Sequence, residues 1–190
     1  MTNITSIALA GFFLWTGAGT STTAKWAQTP SAAPKAEESI SVRLTGYNAV
    51  PEQTDRDPGV TASGVRSNPD VIAARSQDLA EALPFGTVIA LEVQKKSTSC
   101  GFATVEHLIG YRVIADSMHE RKHQQVDVMF DMADMVQIGV NGEPRKATNP
   151  AVALGVCNVS IRIVGKISLK KIPATQTELA LLVNSTLAMR

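Results

Sequence analysis

Aromatic side chains are scarce in this chain: five phenylalanines, two tyrosines and two tryptophans among 190 residues. So few rings make no platform on which a nucleic-acid strand could stack. One-sided charge is missing as well. Eighteen Lys and Arg are balanced by seventeen Asp and Glu, a net charge of +1, and no basic cluster stands out locally. With no field to attract a polyanion, nucleic acid is excluded as a partner. Cysteine occurs twice, at Cys100 and Cys157, a spacing that fits no metal site. Finally, no apolar run reaches the ~20 residues of a spanning helix. The one strongly apolar stretch, SIALAGFFLWTGAG at residues 6–19, suits the h-region of a secretory signal, although MTNIT before it carries no Lys or Arg. Residues 1–26 are therefore assigned to a signal peptide or an N-terminal membrane anchor. Either implies export, to a periplasmic, extracellular or membrane-anchored position facing the cell wall. Residues 27–41 (AQTPSAAPKAEESIS) have the composition of a flexible linker. In an exported chain the two cysteines most simply form one disulfide, with two unpaired buried thiols as the alternative.

What is present is a series of short apolar segments. Residues 42–49, 71–74, 88–93 and 156–167 read as strands, and residues 102–116 as one long strand or a hairpin. Ser76 opens a helical turn, Asn149-Pro150 caps a short helix ending at Gly155, and Thr175 with Glu178 forms a capping box for a C-terminal helix. Residues 131–148 show no clean period. Short strands joined by long loops predict a small β-barrel with short helices and a C-terminal helix. Within it, ADSMHERKHQQVDVMF places Asp116 and Asp127 at the two ends of one loop. With Tyr111, Val113, Val126, Val128 and Phe130 turned to the core, both carboxylates project from the opposite face on neighbouring strands. Two carboxylates on one wall can divide acid and base roles when their environments separate their pKa values. The duller reading pairs Asp127 with Arg112 or Arg121 as an ordinary ion pair.

The same loop spells HERKH at residues 119–123, a match to the HExxH zinc-peptidase pattern. That motif requires a helix to bring both histidines to one face, and a loop of about nine residues between strands is too short for one. Arg121 and Lys122 in the variable positions oppose a divalent cation. Glu143 is the one conceivable further ligand, but it stands among turn formers. No metal or cofactor is assigned.

Seven motifs then line up in order: LTGYNA (44–49), DPGVTASGVR (57–66), VIAAR (71–75), LPFGTVIAL (83–91), GYRVIADSM (110–118), RKHQQVDVMF (121–130) and ALGVCNVSIRIVG (153–165). Together they resemble the Asp-Asp-Asp ("three-D") domain of the rare-lipoprotein-A-like double-psi β-barrels. That group includes the catalytic barrel of the membrane-bound lytic transglycosylase A type and the stationary-phase survival muralytic proteins. The resemblance runs from about residue 42 to 167 and implies a mainly β fold with a six-stranded double-psi barrel, so that residues 42–170 are assigned to the barrel and 171–190 to the helix that the capping box opens. It also implies peptidoglycan as substrate, and cleavage of its glycan strand with Asp127 as the central acid and Asp116 beside it. Lys122, Thr61 and Ser63 fall on groove positions of the family, and Tyr47 is placed to stack on a sugar ring. The chain departs from the pattern at Ser76, where the first signature aspartate is expected and Asp78 lies close by. It departs again at Met118-His119, in place of a glycine pair, and at Gln125, in place of an arginine. A non-catalytic glycan-binding barrel and, behind it, the zinc peptidase are the competing readings.

Overall fold

The computed structural model describes residues 39–54, 57–94, 100–140 and 143–188. The segment read as signal or anchor, and the linker up to residue 38, lie outside the described residues. Strand β1 (Ile40–Asn48) begins inside the stretch assigned to the linker. It buries Val42 and Leu44 on one side and Tyr47 on the other. β2 (Ile72–Arg75) and β3 (Thr87–Val93) follow. β4 (Arg112–Ser117) and β5 (Gln125–Phe130) flank the loop with the two aspartates, and β8 (Cys157–Lys166) comes last. These six strands close into a barrel in the order β1-β5-β2-β4-β3-β8, with β1 parallel to β5 and β2 parallel to β4. The fold is thus mainly β, and its closed six-stranded barrel fits the double-psi architecture that the resemblance implies. Closure leaves no free strand edge in the barrel.

Both faces of the strands are apolar. Leu44, Ala73, Ile114, Val126, Val128 and Phe130 lie in one cluster; Tyr47, Ile72, Ala74, Val113, Ala115 and Met129 lie in a second. Val113 and Val126 therefore face different sides, and β2 separates β4 from β5. The expectation of neighbouring strands with all the valines on one side is corrected on both counts.

Residues 102–116 are also not one strand or a hairpin. Phe102, Val105 and Ile109 are buried at helical spacing along α1 (Phe102–Ile109), and Gly110, at φ +51°, stops the helix before β4 begins. A Cβ at Gly110 would also meet Gln176 Oε1 at 2.2 Å. Just beyond, Arg112 is 1% exposed, yet among the described residues its guanidinium is hydrogen-bonded to no carboxylate. It donates instead to the carbonyls of Ile109 at 2.6 Å, of Met129 at 3.2 Å, and of Pro69 and Leu108. Burial pulls its pKa down to about 9.

Ser76 precedes a single helical turn, Gln77–Leu79, without a side-chain cap bond, whereas the caps at Asn149 and Thr175 are formed. The Asn149 side chain accepts from Ala151 N–H at 3.0 Å to open α2 (Pro150–Leu154). Thr175 and Glu178 exchange the two bonds of a capping box at the start of α3 (Gln176–Ala188), which seats Leu179 and Val183 on the second cluster. Residues 131–148 resolve into a hairpin of β6 (Val136–Val140) and β7 (Glu143–Thr148) outside the barrel. Cys100 and Cys157 form a disulfide with Cα atoms 5.0 Å apart, joining the entry of α1 to β8. Closing a loop of 57 residues stabilises by about 4 kcal/mol in the chain-entropy model. Among the described residues no helix is long and apolar enough to cross a membrane.

Candidate active site

One transverse row of the barrel carries the two carboxylates. Thr45 on β1 pairs with Asp127 on β5, Asp127 with Ala74 on β2, and Ala74 with Asp116 on β4. Strict alternation would not have produced this row. Asp127, next to Val126 and Val128, faces the second cluster's side; Asp116, two beyond Ile114, belongs by period to the other side. A register shift resolves the conflict. Ala73 pairs with Ile114, but Ala74 pairs with Asp116, so Ala115 is the extra residue of a β-bulge. The bulge turns Asp116 to the face of Asp127. The small side chain of Ala74 leaves the space between them open, and two strand spacings put their Cα atoms roughly 10 Å apart.

Asp116 is firmly held. Its Oδ2 accepts from Tyr47 OH at 2.8 Å, and its Oδ1 accepts from the N–H groups of Ala62 and Ser117, each at 2.9 Å. Tyr47 is 7% exposed, and burial and the adjacent Asp116 raise its pKa well above the ordinary value, so it stays a phenol and a donor. Its hydroxyl holds Asp116 at the wall of the groove.

Asp127 is held more loosely. It is half-buried, and its Oδ1 accepts from Gln125 Nε2 at 3.3 Å. Burial dominates its titration and raises the pKa to about 6; the Gln125 hydrogen bond and the Lys122 charge work against that rise, and Asp116 adds to it. Among the described residues no cation stands within ion-pair distance. The pairing with Arg112 is ruled out by the backbone contacts of that guanidinium, and no ion pair to Arg121 is seen.

These groups open onto a groove of about 410 Å³. Asp116, Asp127, Tyr47 and Lys122 line it together with His119, Met118 and Val60. Thr61 and Ser63 stand beside the groove rather than along it. Their hydroxyls bond one another at 3.1 Å, Thr61 Oγ1 also donates to Val65 O at 3.2 Å, and Gly64, at φ +80°, completes the turn. What this segment gives the site is the Ala62 N–H on Asp116.

The departures from the family pattern have physical accounts. Ser76 Oγ accepts from Gln125 N–H at 3.1 Å, and Asp78 Oδ2 accepts from Gln124 N–H at 3.0 Å, so the two side chains together pin the exit of the loop. Hydrogen bonds from Ser76 and Gln124 hold the Asp78 carboxyl below its usual range. Met118 packs its side chain into the second cluster, a contact that a glycine has no side chain to make. HERKH forms a turn and not a helix: Lys122 N–H reaches His119 O at 2.9 Å, His119 Nδ1 accepts from Arg121 N–H, and His123 points to Asp78. Among the described residues no three His, Cys, Asp or Glu are grouped to hold a metal ion.

Thr45 escaped the sequence reading. Its Oγ1 accepts from Gln125 Nε2 at 2.7 Å. The available signal was its position two residues before Tyr47, on the same face of one strand.

No protein-family model matches the chain, and no curated protein does. Among solved structures, the chain is similar to a mutant expansin from Clavibacter michiganensis crystallised with cellohexaose. The identity is 16% and the TM-score 0.34, over 69% of this chain and 52% of that one.

Proposed function

We propose that the barrel is exported and cleaves peptidoglycan glycan strands as a lytic transglycosylase, with Asp127 as general acid and then general base. The observation that carries this reading is the carboxyl of Asp127, raised to about 6 and standing in an open groove across Ala74 from a second carboxyl. A group with that pKa is still partly protonated near neutral pH, as an acid catalyst must be. The protonated Asp127 gives its proton to the glycosidic oxygen, and the bond from that oxygen to the sugar C1 breaks, leaving an oxocarbenium-like centre. The carboxylate then takes the proton of the same sugar's 6-hydroxyl as its oxygen bonds to C1, closing a 1,6-anhydro ring. No water enters, so the two-carboxylate spacing of hydrolytic glycosidases is not required. Asp116, fixed by Tyr47 and Ala62, supplies negative potential to the cationic centre. Exposed Lys122 lies at the groove wall, where it can meet polar groups of the glycan.

The test is mass spectrometry of soluble products after the purified protein is incubated with peptidoglycan, beside Asp127→Asn. Products carrying a 1,6-anhydro sugar, absent with the variant, are expected. Glycan sedimenting with both proteins while neither releases product would replace this reading with that of a binding barrel.

A further inference from the structure

Gln125 stands two residues before Asp127 on β5, so both side chains leave the strand on the same face. It is 5% exposed, and its amide nitrogen has two acceptors, Thr45 Oγ1 at 2.7 Å and Asp127 Oδ1 at 3.3 Å. An ionised carboxylate only accepts hydrogen bonds, so the amide must turn its NH₂ to Asp127. The backbone leaves Gln125 little freedom. Its N–H is received by Ser76 Oγ, its carbonyl receives Ser76 N–H at 2.9 Å, and Gln124 before it is held at φ +47° by Asp78. Thr45, the row partner of Asp127, anchors the amide from the other side.

We infer that Gln125 is a positioning residue for Asp127: its amide fixes the orientation of the carboxyl and governs when that carboxyl gives up its proton. This rests on the reading of Asp127 as the acid. The other charged or titratable groups facing Asp127 are Asp116 on β4, Tyr47 on β1, and Lys122 and His119 from the loop. None of these is hydrogen-bonded to the Asp127 carboxyl in the described residues; the side chain that is belongs to Gln125. A neutral donor stabilises the carboxylate less than a cation would, which leaves Asp127 able to hold a proton.

The experiment is a carbon-13 NMR titration of the Asp127 carboxyl in the full chain, assigned by the signal lost in Asp127→Asn. It compares the unaltered protein with Gln125→Met and Gln125→Glu. Removing the donor should move the midpoint up by roughly one pH unit, and the glutamate should move it further because two adjacent carboxyls share one proton. The alkaline limb of anhydro-product release should move the same way. A residue that only ties strands together would cost stability and leave the midpoint alone. Unchanged midpoints in the folded variants overturn the inference. Should Gln125→Met not fold, Thr45→Val, which releases the amide from its anchor without adding a charge, decides it: an unmoved midpoint in that folded variant overturns the inference. A shifted midpoint without anhydro product from the unaltered protein supports the role of Gln125 and refutes the transglycosylase instead.

Discussion

Asp127→Asn should make the protein more stable at neutral pH, and the gain should vanish in acid. In the folded protein burial raises the carboxyl from 3.8 to about 6, a difference of about 3 kcal/mol at full ionisation. Residual solvent contact of a half-buried group brings the expected figure nearer 2 kcal/mol. The sign follows from proton linkage. Because the folded pKa is the higher one, the native state holds the proton more tightly than the unfolded chain does. That stabilisation is complete below about pH 4 and is lost as pH rises through about 6. Asparagine does not titrate and can still receive the Gln125 amide on its side-chain oxygen. The two proteins should therefore unfold alike below about pH 4, diverge between about pH 4 and 6, and differ above that by about 2 kcal/mol, with the variant the more stable. For a chain of this size that is a rise of roughly 4–8 °C in Tm. Urea unfolding across this pH range measures the divergence directly. Parallel curves, or a variant less stable at neutral pH, would refute burial as the source of the raised proton affinity.

Two further outcomes are expected. Tyr47→Phe removes the 2.8 Å bond to Asp116; it should cost about 1 kcal/mol of stability and lower the rate of anhydro-product release about tenfold, read by denaturant unfolding and by product yield. Reducing Cys100–Cys157 should cost about 4 kcal/mol in the entropic model; calorimetry with and without reductant checks this, and an unchanged Tm would contradict it.

The parts of this molecule that follow a local rule were legible in the chain. Alternation marked β1, β3 and β8, and the side chains of Asn149, Thr175 and Glu178 announced their helices because a cap is a contact between near neighbours. Helix α1 was misread because its eight residues present an apolar run too short to distinguish the two periods. The facing of the aspartates was anticipated for the wrong reason. The valines of β4 and β5 point to different sides, and the bulge at Ala115, which depends on the pairing of β2 with β4, restores the shared face. The insertion of β2 between β4 and β5, the Thr45 contact and the enclosure of Tyr47 likewise depend on residues distant in sequence. A periodic pattern contains none of that.

The carbonyls around Arg112 bear on how this barrel can form. Its cation arrives on β4, while its acceptors come from the segment before β2, from the end of α1 and from β5. In a half-assembled sheet the guanidinium would be removed from water with its recipients still elsewhere, a state that costs several kcal/mol. Partial structures are penalised until all four segments meet. The charge thus acts as a checkpoint on assembly, and α1, which contributes nothing to the groove, belongs to the same cooperative unit as the strands that build it.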